Sequence, residues 1–179
     1  MPLVKFKAHQ SRCCLGGKMT KFQKLREDVS NRVESERKYW DFLYNIIQEF
    51  GGNFSQYLGL ESNQAIDENG NPIGIIKVGR LNDGQFEQCA YWLHDKDGKN
   101  LTFYLCLNLP GEDTMQREVA LIDKVILGKP DIFGNIVNLR TSPMLYEVPC
   151  EIKDGKVDLT PFFDALYQDI SSRLDIHSL

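Results

Sequence analysis

Three Asp-Gly dipeptides, at 83–84, 97–98 and 154–155, constrain this chain more than any other feature. Each lies between two short runs of apolar and β-favouring residues. Asp-Gly supplies the positive φ that a tight hairpin turn requires, so each marks a chain reversal between antiparallel strands. The runs beside the first two dipeptides, 73–81, 85–94 and 101–109, read as three strands of a meander. Beyond them, 132–140 and 145–152 read as strands, and the third dipeptide leads into a short strand at 156–159. Pro149 cannot donate to a ladder, so its strand is expected to be an edge or to carry a bulge.

Helical periodicity fills the remaining segments. Thr20 and Gln23 have the spacing of a capping box. Behind them Phe22, Leu25, Val29, Val33, Trp40, Leu43, Ile47 and Phe50 recur every three or four residues, which predicts a helix of about 30 residues. Gly51-Gly52 is the expected stop. The first half of this stripe is narrow and flanked by charge, which suggests that it pairs with another subunit. A middle helix is expected from Asp113 or Thr114 through Met115, Val119, Ile122, Val125 and Ile126, closed by Gly128 and Pro130. Thr160-Pro161 opens a last helix lined by Phe162, Leu166, Ile170 and Leu174. The expectation is one two-layer α+β domain at 19–179: a mostly antiparallel sheet of five to six strands, packed by a long N-terminal helix, a middle helix and a C-terminal helix. In its order of elements alone, the layout resembles small dimeric secretion chaperones.

Charge divides the chain unevenly. Residues 1–18 carry Lys5, Lys7, Arg12 and Lys18 with no acid, and read as a flexible basic leader. The rest holds 17 basic and 25 acidic residues, a net −8 that disfavours a phosphate backbone as partner. No apolar run reaches the roughly 18 residues of a membrane span, and the N-terminus makes a poor secretory signal. Five cysteines, odd in number and without a C-x-x-C pair, suit reduced thiols in a cytoplasmic protein.

The second hairpin decides where a site could lie. A two-residue Asp97-Gly98 turn would pair Lys96 with Lys99 and Cys89 with Cys106, leaving both faces mixed. A three-residue loop with Gly98 in a bulge pairs Asp95 with Lys99 and sorts the faces. Cys89, Tyr91 and Leu93 then join Leu101, Phe103, Leu105 and Leu107, while Gln88, Trp92 and His94 join Tyr104, Cys106 and Asn108. The bulged register is therefore expected. Its aromatic face, Trp92, Tyr104, His94, Gln88 and Asn108, can stack a flat ligand and satisfy its polar atoms.

Signatures of catalysis are sparse. No phosphate loop or dinucleotide fingerprint is present, and three histidines at 9, 94 and 177 are too scattered for a histidine-rich metal site. The carboxylate pairs Asp67-Glu68 and Glu112-Asp113 read as solvated loop and helix-start residues. Pro130-Asp131 followed by Glu151-Ile152-Lys153 resembles the P-D…(D/E)-x-K pattern of restriction-endonuclease-like nucleases. That resemblance implies that Asp131 and Glu151 hold Mg²⁺ while Lys153 stabilises the attacking hydroxide or the phosphate. The leading expectation is a non-catalytic, self-associating module without a cofactor. It binds a protein partner or a small apolar or aromatic ligand on helix 1 or the aromatic face. The Mg²⁺-dependent nuclease is the alternative.

Overall fold

The computed structural model describes residues 19–67, 69–109, 119–131, 134–142 and 147–176. The leader at 1–18, the expected helix start at 113–118 and His177 lie outside the described residues. The fold is α+β, with two helices among the described residues and antiparallel pairing throughout the described strands. Eight strands form the main sheet, against the five or six expected, and a further pair forms a small second sheet. The chain divides into two compact units, Met1–Lys38 and Tyr39–Leu179.

Helix α1 (Lys21–Tyr57) supplies residues to each unit. Its start is the expected capping box: Thr20 N donates to Gln23 Oε1 at 2.8 Å, and Gln23 N donates to Thr20 Oγ1 at 3.2 Å. It does not stop at Gly51-Gly52. Phe50 and Phe54 are fully buried on either side of those glycines, and two such burials, about 2–3 kcal/mol each, exceed the roughly 1 kcal/mol that each glycine costs a helix. The helix ends instead at Gly59, φ +70°, where Leu60 N bonds Ser55 O across a Schellman-type closure.

In the larger unit, β1 (Gln64–Ile66) pairs with β2 (Pro72–Gly74). The main sheet contains β3 (Ile76–Asn82), β4 (Gln85–Gln88), β5 (Asp95–Asp97), β6 (Asn100–Leu109), β7 (Val119–Leu127), β8 (Ile136–Ser142), β9 (Val148–Lys153) and β10 (Lys156–Val157). Their order is β10-β9-β8-β7-β6-β3-β4, with β5 beside the start of β6. The turns at Asp83-Gly84 and Asp154-Gly155 have positive φ at both residues, as type I′ turns require. Pro149 lies where β9 has only β8 as neighbour, because β10 reaches only Ile152 and Lys153. Ile152 N donates to Asn135 O. By the alternation of a strand, the Pro149 nitrogen points away from β8, where no donor is needed.

Helix α2 (Thr160–Ile176) starts with Asp158 Oδ1 accepting the Thr160 amide at 3.1 Å. Thr160 is therefore inside the helix, and Asp158 supplies the capping group expected from the threonine. Leu43, Ile47 and Phe50 of α1 and Phe162, Phe163 and Leu166 of α2 share one core with Phe103, Leu105, Val125 and Leu139 of the sheet. Phe50 is at its centre, with ring centroids 4.9 Å from Phe103 and 5.2 Å from Phe163.

Two further sequence expectations, both about strands, are overturned. The segment 119–127, expected in the middle helix, is strand β7, paired with β6 along nine residues from Leu101↔Leu127 to Leu109↔Val119. Its apolar positions fit a period of two as well as 3.6: Leu121, Val125 and Leu127 turn toward the helices with Asp123 between them. The β-branched Ile122, Val125 and Ile126 favour the strand. The hairpin of 85–94 with 101–109 is also replaced. Strand β3 takes the β6 edge, pairing Ile76 with Leu107 and Gly79 with Tyr104, and β4 pairs outside it. The inner place suits β3, whose Ile76 is buried against the core. The sequence QFEQ of β4 has one apolar side chain and suits an edge.

Candidate functional site

None of the expected second strand, 85–94, pairs with β6; the three residues after it, Asp95–Asp97, form β5 there instead. Strand β5 pairs Asp95 with Thr102 and Asp97 with Asn100, a register different from both considered above. The connecting residues are Gly98-Lys99, and only Gly98, at φ +61°, has positive φ, as a type II′ turn requires. This register puts Lys96 on the helix side, its Nζ 4.3 Å from the Trp40 ring centroid and 5.2 Å from that of Tyr44. The bulged register would put Asp95 there instead, an anion against the negative faces of two aromatic rings.

The five residues of the expected aromatic face consequently separate. Gln88, Gly79 and Tyr104 stand in one row across β4, β3 and β6, on the face opposite the helices. Asn108 is on that face of β6, but Nδ2 donates to Gly74 O at 2.6 Å and Oδ1 is 3.5 Å from Cys106 Sγ. Its amide holds the chain rather than facing a ligand. Trp92 lies in a short 3₁₀ turn, Tyr91–Leu93, outside the ladder, edge-on to Tyr91 and 58% exposed. His94 is buried on the helix side, its ring 6.1 Å from that of Phe103.

His94 Nδ1 is 3.9 Å from Cys89 Sγ. Burial lowers the imidazole pKa against the opposing pull of Asp95, and burial raises that of the Cys89 thiol. Both groups are thereby held neutral, the reverse of an activated thiolate–imidazolium pair. Cys106 is on a different strand face and its thiol is likewise pushed up by burial.

The P-D…E-x-K residues have other partners. Asp131 Oδ1 accepts the amides of Asn135 at 2.7 Å and Ile136 at 3.2 Å, closing the turn into β8. Glu151 is opposite Ile136 on β9, with Oε2 2.6 Å from Lys153 Nζ in an exposed ion pair. Among the described residues, no three His, Cys, Asp or Glu side chains are grouped to hold a metal. The carboxylate of Asp67, expected to be solvated, closes a turn through the amides of Asn69 and Asn71.

Two shallow depressions in the larger unit were not foreseen. One, of about 280 Å³, runs between Asn45, Glu49 and Asn53 of α1 and the 154–156 turn. The other, of about 340 Å³, adjoins it at Gln56, Tyr57 and the start of α2. Tyr57 Oη donates to Asp164 at 2.6 Å, which pushes the phenol pKa up to about 12. Both volumes are at the small end for ligand sites. The polar i, i+4 row at 45, 49 and 53 was the sequence signal for this groove.

In the smaller unit, a row of large apolar side chains is exposed along the N-terminal part of α1 and just before it: Phe22, Leu25, Val29 and Val33 on the helix and Met19 ahead of it are each 57–68% accessible. No protein-family model matches this chain, and no curated protein or solved structure matches it. No described helix is long and apolar enough to cross a membrane. Among the described residues the row is a patch rather than a scatter, because four such residues share one face of α1 and Met19 precedes them.

Proposed function

We propose that this protein is a non-catalytic interaction module that docks a protein partner on the first part of α1. The single observation that carries this reading is the exposed apolar row from Met19 to Val33. An isolated helix needs no apolar face, and exposing one has a cost in solubility that a partner removes. Covering the remaining accessible part of five such side chains is worth about 1–2 kcal/mol each, or about 5–10 kcal/mol in all. Association itself costs about 4–15 kcal/mol. The apolar row alone therefore gives weak binding, and the polar border must contribute to affinity and selectivity. The nuclease alternative draws no support from the carboxylates, since Asp131 closes its own turn and Glu151 pairs with Lys153.

Site-specific photo-crosslinking in living cells tests the reading. A photoreactive residue at Leu25 or Val29 should give a discrete crosslinked product that is absent with the same residue at Asn31, on the opposite helix face. A product of twice the chain mass would identify a second copy, as the sequence suggested. No product at 25 or 29, or equal products at 31, would refute docking on this row.

A further inference from the structure

We infer that the partner segment on the α1 row is an amphipathic helix whose apolar face is bordered by aspartate and glutamate. This rests on the docking role proposed for the row and adds the chemistry of the partner. Lys21 and Arg32 flank the row on one side, Arg26 and Arg37 on the other. Each pair is separated by eleven residues, close to three full helical turns, so each cation stacks along the same border as its mate. All four side chains are exposed, and none joins an ion pair among the described residues. Glu34 and Lys38, by contrast, pair with each other at 2.9 Å on the polar face. Three carboxylates lie nearby: Asp28 outside the Lys21/Arg32 border, Glu36 at the C-terminal end of the row, and Glu34, whose pKa is lowered first by Lys38 and also by Arg37. The borders remain net positive.

A second copy matches this pattern poorly. In a parallel pair a border residue faces the one five positions later on its partner, which opposes Lys21 to Arg26 and Arg32 to Arg37. An antiparallel pair that aligns Phe22 with Val33 brings the two Asp28 carboxylates to one level. Like charges in such positions select against association. An anionic bilayer would attract the four cations, but it would press Glu36 toward the acyl chains. A protein helix can meet the four cations with carboxylates and Glu36 with one lysine or arginine.

Two synthetic helical peptides test this against the full chain by fluorescence anisotropy. Both carry the same leucine and isoleucine face; one has glutamate at its borders and the other lysine. The glutamate peptide should bind at least about tenfold more tightly, with the difference shrinking as salt rises. Combined Lys21→Glu, Arg26→Glu, Arg32→Glu and Arg37→Glu replacement should reverse the preference. L25D/V29D should abolish binding of both, with circular dichroism showing that both variants keep the native melting curve. Equal binding of both peptides would overturn the charge assignment and leave docking on the row intact. Binding of neither would overturn this inference, with the crosslinking result still deciding whether the row docks a partner. Tighter association with phosphatidylserine vesicles than with either peptide, or concentration-dependent dimerisation removed by V29D, would likewise overturn the acidic-helix assignment.

Discussion

Replacing Arg173 by methionine while Asp123 stays in place strands a carboxylate on the helix-covered face of the sheet. Asp123 is 3% exposed, and its Oδ2 receives Arg173 Nη2 at 2.7 Å across the α2–β7 interface. The same nitrogen is 3.0 Å from Asp169 Oδ2 one turn earlier on α2. Burial works against the guanidinium charge, but the bond to Asp123 and the charges of Asp123 and Asp169 outweigh it, so its pKa is raised. Breaking a buried pair from one side costs about 3–5 kcal/mol. The Arg173 side chain is 30% exposed, which lets water reach the stranded group, so about 2–4 kcal/mol is the expected loss for R173M. D123L should cost less, about 1–2 kcal/mol, because the guanidinium keeps Asp169 and solvent. The double variant should lose less than the two single losses combined, with a coupling of at least about 1 kcal/mol. Urea unfolding of the four proteins measures this cycle; with slopes of about 2 kcal/mol per molar, R173M should shift its midpoint by roughly 1–2 M. Additive losses, or R173M within about 0.5 kcal/mol of the parent protein, would refute the claim that this pair joins α2 to the sheet.

Two further outcomes follow from local geometry. A Cβ at Gly79 would lie 2.2 Å from Glu87 O and 2.9 Å from Phe86 Cζ. G79A should therefore lose about 1–3 kcal/mol and melt roughly 2–12 °C lower, whereas G52A, with nothing within 4 Å, should gain up to about 1 kcal/mol of helix stability; equal melting of the two would contradict the close approach of β4 to β3. His94 has a folded pKa below its unfolded value, so near pH 6 the unfolded chain binds more protons. Its contribution is fully present above about pH 6.5 and is lost as pH falls toward the folded pKa. The melting temperature of the parent should therefore drop more between pH 7.5 and 5 than that of H94Q, and parallel pH profiles would show that His94 is not held neutral by burial.

The local signals were legible wherever neighbouring residues decide the outcome. Thr20 and Gln23 cap a helix through their own side chains, and Asp-Gly at 83–84 and 154–155 adopts positive φ without help from afar. The α+β class followed from the same punctuation. The exposed row on α1 could also be read directly, since a helix sorts its faces by period alone; only its exposure required coordinates. Elsewhere, two local solutions were nearly equal and distant contacts chose between them. The apolar spacing of 119–127 suits helix or strand, and nine pairings with β6 decided for the strand. Gly51-Gly52 suits a stop, but Phe50 and Phe54 on either side of them are buried in the core. At 97–100, one turn position sets which side chains face inward: Lys96 lies over Trp40 and Tyr44, His94 two residues earlier is buried, and Trp92 lies outside the ladder. Turn and cap energies of about 1 kcal/mol act between neighbours and are written in the sequence. Burial of whole aromatic side chains is worth several times more, and its partners are chosen only when the chain closes on itself.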